Sequence, residues 1–415
     1  MQTCAHFSAR TLRAWPKCLR RTIIGMANPH SPHSPIAAVI HPDPYPYYAT
    51  LTAERPLYFD EALHLWVASS AEAVTAVLTN SLCRVRPASE PIPKALLGSP
   101  AANIFRHLVR MNDGERHCPF KQVIATTLGS VSVSVVATQS RRWAYDLITK
   151  LDPSDFALRL SVYVMGSLLG IPHNDLHQTT LWVDDFVRCL APASSLEQID
   201  RGKLAAGHLL NLFRTLLNAQ TDGLLTTLIQ EMRRVGRDDS EGIDVIVANA
   251  IGFLTQAYEA TAGLIGNAVL AMAAYPDVRE QITAKPELLH NVIEEVLRYD
   301  SPIQNTRRFV AEAGIVAGQP MQAGDAILVV LAAANRDASV NPHPEQFDLF
   351  RQERRLFTFG LGTHACPGEM LAVVIAQAGV EQLIAHAVVR PRMAEALTYR
   401  PSANVRIPFL TFPRT

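Results

Sequence analysis

The sequence predicts a mainly α-helical protein with a smaller β part, and two observations carry this fold class. Leu, Val and Ile recur at three- and four-residue spacings from residue 103 to about 235, and a long apolar helix follows over about 243–275. After residue 303 the pattern changes to β-branched runs separated by Gly and Pro, which is typical of short strands.

Ahead of the helical region, irregular segments alternate with short elements. Residues 26–50 are rich in Pro and His and predict an irregular lead-in. Alternating apolar residues over 57–69 predict two short strands, and residues 71–79 predict a short helix. Residues 85–101 contain four prolines and predict a long loop. A loop of that length usually forms a lid or a binding segment.

Helices and strands also alternate beyond the long helix. Residues 277–284 and 286–300 predict two further helices, because prolines stand at their boundaries. An irregular meander is expected over 341–356, a helix over 368–387 and a strand from Val388. No linker separates the helical and strand-bearing parts, so residues 26–415 are expected to form a single domain.

Composition and charge exclude several classes of protein. The chain has 415 residues, of which 48% are hydrophobic and 18% charged, and its formal net charge is zero. No basic excess points to nucleic acid. The six cysteines are scattered without a CxxC pair, which argues against a zinc site and a disulfide framework. A reduced, cytoplasmic location is therefore expected.

Two segments resemble targeting or membrane sequences. Residues 1–25 are basic without an acid, as a transit peptide would be, but an upstream translated extension before Met26 is the favoured interpretation. Residues 245–274 are apolar enough to suggest a membrane span. Glu259 interrupts them, however, and a carboxylate at the membrane centre costs about 2.5–3.5 kcal/mol. A helix buried inside the protein is expected instead.

The stretch FGLGTHACPGE, residues 359–369, places one cysteine in a frame of turn residues. Pro367 is a favoured first residue of a helix, so the sulfur of Cys366 is expected at a helix N-terminus. There the dipole and the free N–H groups of Gly368 and Glu369 favour a thiolate. Gly360 allows the backbone to approach a ligand closely. This combination suits a large planar metal cofactor, although a lone buried cysteine is usually structural.

This stretch resembles the haem-binding signature of the cytochrome P450 family. Phe359, Gly362, His364, Cys366 and Gly368 all fall on that pattern. The resemblance implies the cytochrome P450 fold, with haem b between the long central helix and the cysteine-loop helix. It also implies that the Cys366 thiolate is the axial ligand of the haem iron, which favours O–O cleavage.

Further segments extend the resemblance over about residues 50–415. Glu295 and Arg298 stand three apart on a predicted helix and are similar to the family's E-x-x-R pair, a structural feature. Arg308 matches an arginine that binds a haem propionate. The family often has arginine at Gln346, so the third member of the Glu–Arg network is left unassigned.

The segment MNDGERHCPFK, residues 111–121, resembles the family's segment before a haem-contacting helix. His117 and Lys121 occupy the positions that pair with the other propionate. Lys121 keeps the charge of the usual arginine but lacks its planar fork. By the same resemblance, His364 completes the propionate set.

The centre of the long helix, TQAYEATAGLIGNA, departs from the family pattern of a small residue, Gly, any residue, an acid and Thr. Aligned on Glu259, Gln256 replaces the small residue and Ala260 replaces the threonine that usually positions a proton donor. Thr261 lies about 100° further round the helix, so it is expected to point elsewhere. We hypothesise that Glu259 delivers protons with water, a substrate hydroxyl or the Gln256 amide. A helix-packing hydrogen bond is the other interpretation of Gln256.

The resemblance implies a monooxygenase that inserts one atom of O2 into a small, largely apolar molecule, with specialised metabolism as the expected setting. No flavin or iron–sulfur motif is visible, so a separate ferredoxin and ferredoxin reductase are expected as electron donors. A monomer without a membrane span is expected. The pocket wall is predicted from loop 85–106, the middle of the long helix and residues 303–305.

Two alternatives remain open at this stage. The altered helix motif is compatible with non-standard haem-thiolate chemistry, such as a peroxide-driven oxidation, a rearrangement or a dehydration. A haem-based binding or sensor module would keep the thiolate but lack turnover. The substrate, free or attached to a carrier protein, does not follow from the sequence.

Overall fold

The computed structural model describes residues 31–191, 194–219, 223–389 and 397–410. The basic segment 1–25 lies outside these residues, so its interpretation as an extension stays a prediction.

Helices make up most of the described chain. In chain order the α-helices are α1 (Tyr45–Glu54), α2 (Ala71–Thr79), α3 (Pro100–His107), α4 (Cys118–Gly129), α5 (Val133–Ile148), α6 (Pro153–Leu168), α7 (Leu176–Cys189), α8 (Leu196–Ala219), α9 (Leu224–Arg234), α10 (Ser240–Ala274), α11 (Pro276–Ala284), α12 (Leu289–Tyr299), α13 (Leu331–Asn335) and α14 (Glu369–Ala385).

The β part consists of one mixed sheet and one separate hairpin. Its strands are β1 (Leu57–Asp60), β2 (Leu65–Ala68), β3 (Cys83–Arg84), β4 (Thr306–Val310), β5 (Gly314–Val316), β6 (Gln319–Met321) and β7 (Ala326–Val329). The five-stranded sheet has the order β1-β2-β7-β4-β3, and β5 and β6 pair by themselves. Strand β2 runs parallel to β7, whereas β4 runs antiparallel to β7 and brings Arg308 opposite Ile327.

The core is built around the 35-residue helix α10, which contacts α6, α14, α12 and α3. Asp239 caps its start by accepting a hydrogen bond from the Gly242 N–H at 2.7 Å, and Pro276 follows its end. Most of its residues are buried. Within the described ranges no single helix meets the length and hydropathy criteria for a membrane span. One bent pair, Gly114–Gly129 with Val133–Ile148, meets them together across a 70° bend.

The mainly α prediction with a smaller β part is confirmed, as are the strand pair within 57–69, the helix over 71–79 and the long helix. The gap between the helical pattern that ends at about 235 and the long helix predicted from about 243 lies between α9 and α10. These elements are predicted well because their apolar residues repeat regularly, at the spacing typical of a helix or of a strand.

Two local predictions are wrong. The lead-in 26–50 contains the start of helix α1, which buries Tyr48 and Leu51 against the sheet. The apolar run at 331–335 forms helix α13 rather than a strand. The strand predicted from Val388 lies partly outside the described residues, and within 397–410 the chain forms isolated bridges, Ile303 with Val405 and Tyr399 with Pro408. Tertiary packing overrides local propensity in such short segments.

Candidate active site

A cavity of about 1550 Å³ is lined by both the middle of α10 and the cysteine loop. Pockets for small molecules usually measure about 300–1,000 Å³, so this one has room for a large group together with a second molecule. Val85, Phe105, Ile303 and Asn305 line it, as predicted. Gln304 does not, because its side chain is buried between the Tyr48 hydroxyl and the Ser301 carbonyl.

The cysteine loop turns sharply so that Cys366 faces the cavity. The Cys366 N–H donates to the Phe359 carbonyl at 2.8 Å, which closes the loop. Gly360 adopts a φ of +69°, a left-handed conformation that favours glycine. Phe359, Gly360, His364 and Gly368 line the same cavity. The loop therefore brings the predicted haem-contacting residues around one exposed thiol.

The thiol stands just before α14, but the expected N-terminal stabilisation is partial. Helix α14 begins at Glu369, and the Gly368 N–H donates to Cys366 Sγ at 3.4 Å. Enclosure by the protein raises the pKa of the Cys366 thiol, whereas the Gly368 N–H and the charges of Lys121 and Arg110 lower it. Desolvation by the surrounding protein prevails although the residue stays accessible from the cavity, and the pKa of the Cys366 thiol lies above its ordinary value. Metal coordination deprotonates a thiol outright.

Two histidines predicted to contact propionates lie together at the cavity. The rings of His117 and His364 are 4.2 Å apart, and His364 Nε2 lies 3.0 Å from Asp113 Oδ1. Burial lowers the pKa of His117 to about 4, helped by the charges of His364 and Lys121. His117 Nε2 is buried without a hydrogen-bond partner from the described residues. A buried polar atom in this state indicates a missing ligand or water.

Cations surround the same part of the cavity. Arg308 is 6% exposed and donates from Nη1 to the Arg307 carbonyl at 2.9 Å. Lys121 Nζ donates to the carbonyl of Ala365 in the cysteine loop. Burial lowers the pKa of both groups. This set of donors fits a group that carries carboxylates.

Glu295 and Arg298 form a fully buried ion pair on α12. Arg298 Nη2 lies 2.6 Å from Glu295 Oε1, and neither side chain is exposed to solvent. Arg298 also donates to the carbonyls of Pro344 and Gln346. Gln346 thus contributes its backbone to the network, while its side chain is not needed.

Sequence reasoning missed the residues that complete this network. Arg354 Nε lies 3.0 Å from Glu295 Oε2, and Arg351 Nε lies 3.4 Å from Glu295 Oε1. The same helix holds the segment that enters the cysteine loop, because the Thr358 hydroxyl donates to the Leu297 carbonyl at 2.6 Å. The basic run at 351–355 is the only sequence signal for these arginines. It does not show which of them reach the buried carboxylate.

Four residues in the middle of α10 line the cavity: Gln256, Glu259, Ala260 and Thr261. Gln256 Nε2 donates to the Gly252 carbonyl at 2.9 Å, so one amide proton has the helix-packing role considered above. A side chain at Gly252 would lie 2.8 Å from that nitrogen, so glycine makes room for it. Thr261 is 1% exposed, and its Oγ1 has no hydrogen-bond partner among the described residues.

Glu259 lies in a cluster of charged groups beside the cavity. Burial raises the pKa of its carboxyl, and Asp184 adds to this, whereas Arg400 and Arg188 oppose it. Asp184 is itself engaged, because it accepts from the Tyr258 hydroxyl at 3.0 Å and from Arg188 at 2.8 Å. The Glu259 carboxyl therefore holds a proton more readily than an exposed glutamate does.

Comparisons with known proteins agree on one family. The family model described as Cytochrome P450 matches residues 208–395. The biotin biosynthesis cytochrome P450 of Bacillus subtilis (strain 168) is 26% identical over 357 residues, 82% of this chain and 88% of that protein. The 20-oxo-5-O-mycaminosyltylactone 23-monooxygenase of Streptomyces fradiae is 28% identical over 354 residues, 81% of each chain. The crystal structure of CalO2 superposes with a TM-score of 0.78 at 25% identity, over 89% of this chain and 95% of CalO2.

A helical fold that places a cysteine thiol at a large cavity has the arrangement of a protein that binds a prosthetic group through sulfur. The chain belongs to the cytochrome P450 family and is a monooxygenase of that family, an oxidoreductase. The family implies a haem-thiolate cofactor. The residues present fit this group, because the cavity combines an exposed thiol with cations and a histidine nitrogen that lacks a partner.

Proposed function

We propose that this protein inserts one atom of O2 into a medium-sized, largely apolar molecule that carries some polar groups. The second oxygen atom would leave as water, with two electrons from a separate ferredoxin and ferredoxin reductase. The observation that carries the proposal is the exposed Cys366 thiol in a cavity that is also lined by the partly buried carboxyl of Glu259. Bacterial relatives in secondary metabolism support the setting.

Cys366 would ligate the iron of haem b, and His117, Lys121, Arg308 and His364 would hold its propionates. Once bound, the haem supplies the activation of O2. Lys121 and Arg308 each offer a charged donor to a carboxylate, and charge-assisted hydrogen bonds of this kind contribute about 1.5–3 kcal/mol.

Lys121→Gln is expected to weaken haem retention. The variant loses a charged donor, so transfer of haem to apomyoglobin should be about ten-fold faster than in the parent protein. Lys94→Gln is the matched control, because Lys94 is exposed and does not line the cavity. Equal transfer rates for Lys121→Gln and the parent would remove Lys121 from the propionate set.

On the distal side we propose that the Glu259 carboxyl holds the proton used in oxygen cleavage. Desolvation raises the pKa of this carboxyl, so its protonated form is more populated than that of an exposed glutamate at the same pH. Ala260 has no hydroxyl, so the unpartnered Thr261 hydroxyl is the nearest alcohol on the helix that could order a water. Gln256 retains one amide proton and its carbonyl for the same task, because only one N–H is engaged with Gly252.

Glu259→Gln is expected to lower the product formed per electron pair, by up to about 100-fold if Glu259 is the general acid. Thr261→Val and Gln256→Ala should lower coupling less, since water can replace one donor. The matched control is Thr255→Val, which removes a cavity-lining hydroxyl that already lies 3.4 Å from the Gly252 carbonyl. Unchanged coupling in Gln256→Ala would assign Gln256 to helix packing alone.

The proposed function is tested by supplying labelled O2 to the holoenzyme with a surrogate ferredoxin and reductase. A panel of small molecules is first screened for a shift in the haem spin state. Incorporation of one labelled atom into a product supports the proposal. Product formed only with hydrogen peroxide would favour the peroxide-driven alternative, which the missing hydroxyl at Ala260 keeps open. A spin-state shift without consumption of reducing equivalents would indicate a binding or sensor module.

Other expectations remain predictions. The surface around Cys366 would be the docking face for the electron donor. A cytoplasmic monomer is expected, with residues 26–415 as one domain. The substrate could be a free metabolite or an intermediate attached to a carrier protein, and ligand screening of both forms would separate them.

A further inference from the structure

One arginine near Cys366 lines the cavity but is not among the haem-contacting residues that the family resemblance implies. Arg110 lies in the 3₁₀ turn Val109–Met111 and lines the cavity. Its charge lowers the pKa values of both Cys366 and Arg308, so its guanidinium lies within electrostatic range of both groups. The surrounding protein atoms lower the pKa of Arg110 by desolvation, and the Cys366 sulfur opposes this shift, while the residue itself stays exposed.

Arg110 lacks a carboxylate partner within residues 31–191, 194–219, 223–389 and 397–410. Elsewhere in the cavity, Arg188 pairs with Asp184 at 2.8 Å and Arg400 acts on Glu259. A guanidinium stays protonated at any pH the protein meets, so Arg110 presents a fixed positive charge that is accessible from the cavity. With Cys366 holding the haem as proposed, its charge would be engaged there and would no longer be available to Arg110.

The backbone just before Arg110 is fixed to the central helix, and Asn112 just after it closes the same turn. The Asn249 side chain on α10 accepts from the Val109 N–H at 3.0 Å and donates to the His107 carbonyl at 2.9 Å. The Asn112 amide donates to the Leu108 carbonyl at 2.7 Å. The turn that presents Arg110 is thus held in place before a ligand binds, which reduces the entropy lost on binding.

We propose that Arg110 binds a carboxylate group inside the cavity. Its planar fork matches the two oxygens of a carboxylate. The carboxylate has two possible sources, the molecule to be oxidised or a haem propionate. Charge favours the first source, because Lys121 and Arg308 already match the two propionates and Arg110, like Arg307, is an additional cation in the lining. The inference rests on the proposed function, since it requires haem in the cavity.

The experiment uses the holoenzyme and a series of ω-(imidazol-1-yl)alkanoic acids with four to ten carbons, each paired with its neutral amide. The imidazole binds the haem iron and shifts the absorption spectrum, so affinity is measured without turnover. Parent protein, Arg110→Gln and Arg110→Lys are compared, and haem transfer to apomyoglobin is measured for each. Arg106→Gln is the matched control, because Arg106 is exposed in the same segment and does not line the cavity.

If Arg110 binds a substrate carboxylate, the parent protein and Arg106→Gln will prefer one or more acids over the amides by about ten-fold or more. Arg110→Gln will lose that preference, and Arg110→Lys will retain part of it. If it binds a propionate, Arg110→Gln will instead lose haem about ten-fold faster. Equal acid and amide affinities together with unchanged haem transfer overturn the inference. A parent protein that takes up no haem overturns the proposed function, and with it the inference.

Discussion

Replacing Cys366 by alanine is expected to remove the thiolate-dependent absorption bands of the holoenzyme and reduce monooxygenase turnover to background. The cavity brings only one described cysteine to the position where a thiolate could bind iron from the loop. Alanine offers no ligand, so bound haem would be held by the propionate contacts and packing alone. The measurements are the absorption spectra of the reduced, carbon monoxide-treated protein and the haem content per chain.

Cys118→Ala is the matched control for this substitution. Both cysteines are exposed, but Cys118 opens helix α4 and does not line the cavity. Its replacement should leave the spectrum and the haem content unchanged. A Cys366→Ala protein with the same absorption bands as its parent would contradict the assignment of the axial ligand. So would a parent protein that stays colourless after growth with ample haem precursor.

Replacing Glu295 by glutamine is expected to lower the free energy of unfolding by about 3–5 kcal/mol. Glu295 and Arg298 are entirely buried, and Arg351 and Arg354 also reach the Glu295 carboxylate. Its neutralisation leaves these arginines without their shared counter-charge in a low-dielectric environment. We expect lower yields of folded protein and an earlier midpoint in denaturant-induced unfolding of the holoenzyme.

The neighbouring Glu294 provides the control for this prediction. Glu294 is 39% exposed and lies 3.3 Å from Arg354 and 3.2 Å from His290. Exposed ion pairs of this kind contribute about 0–1 kcal/mol, so Glu294→Gln should shift the midpoint little. Similar losses in both variants would mean that the buried network has no special role in stability.

The sequence predicted correctly those features that are formed by residues close together along the chain. The spacing around Cys366 and the three-residue step from Glu295 to Arg298 are properties of one loop and one helix turn. Contacts within one loop or one helix turn depend on residues that are close in sequence, so a short motif is enough to predict them. The same holds for α10, whose apolar pattern and flanking Asp239 and Pro276 set its approximate length.

Predictions failed where the deciding contact comes from a distant segment. Helix α1 forms where prolines and histidines favour irregular structure, because its apolar side buries Tyr48 against the sheet. Gln304 lies next to two cavity-lining residues in sequence but is drawn away by Tyr48. Thr261 lines the same cavity as Ala260 but is only 1% exposed, so the expectation that its side chain points elsewhere stays a prediction.

By itself, the sequence determined the fold class, the family and the cysteine that faces the cavity, because periodic burial and a contiguous loop are written in neighbouring residues. Only the tertiary structure decided which arginines surround Glu295, that the Gln256 amide bonds to its own helix, and that Arg110 faces the cavity without a carboxylate partner in the described chain. These features depend on the distances between charges carried by separate segments. Folding sets those distances, and the order of residues along the chain does not reveal them.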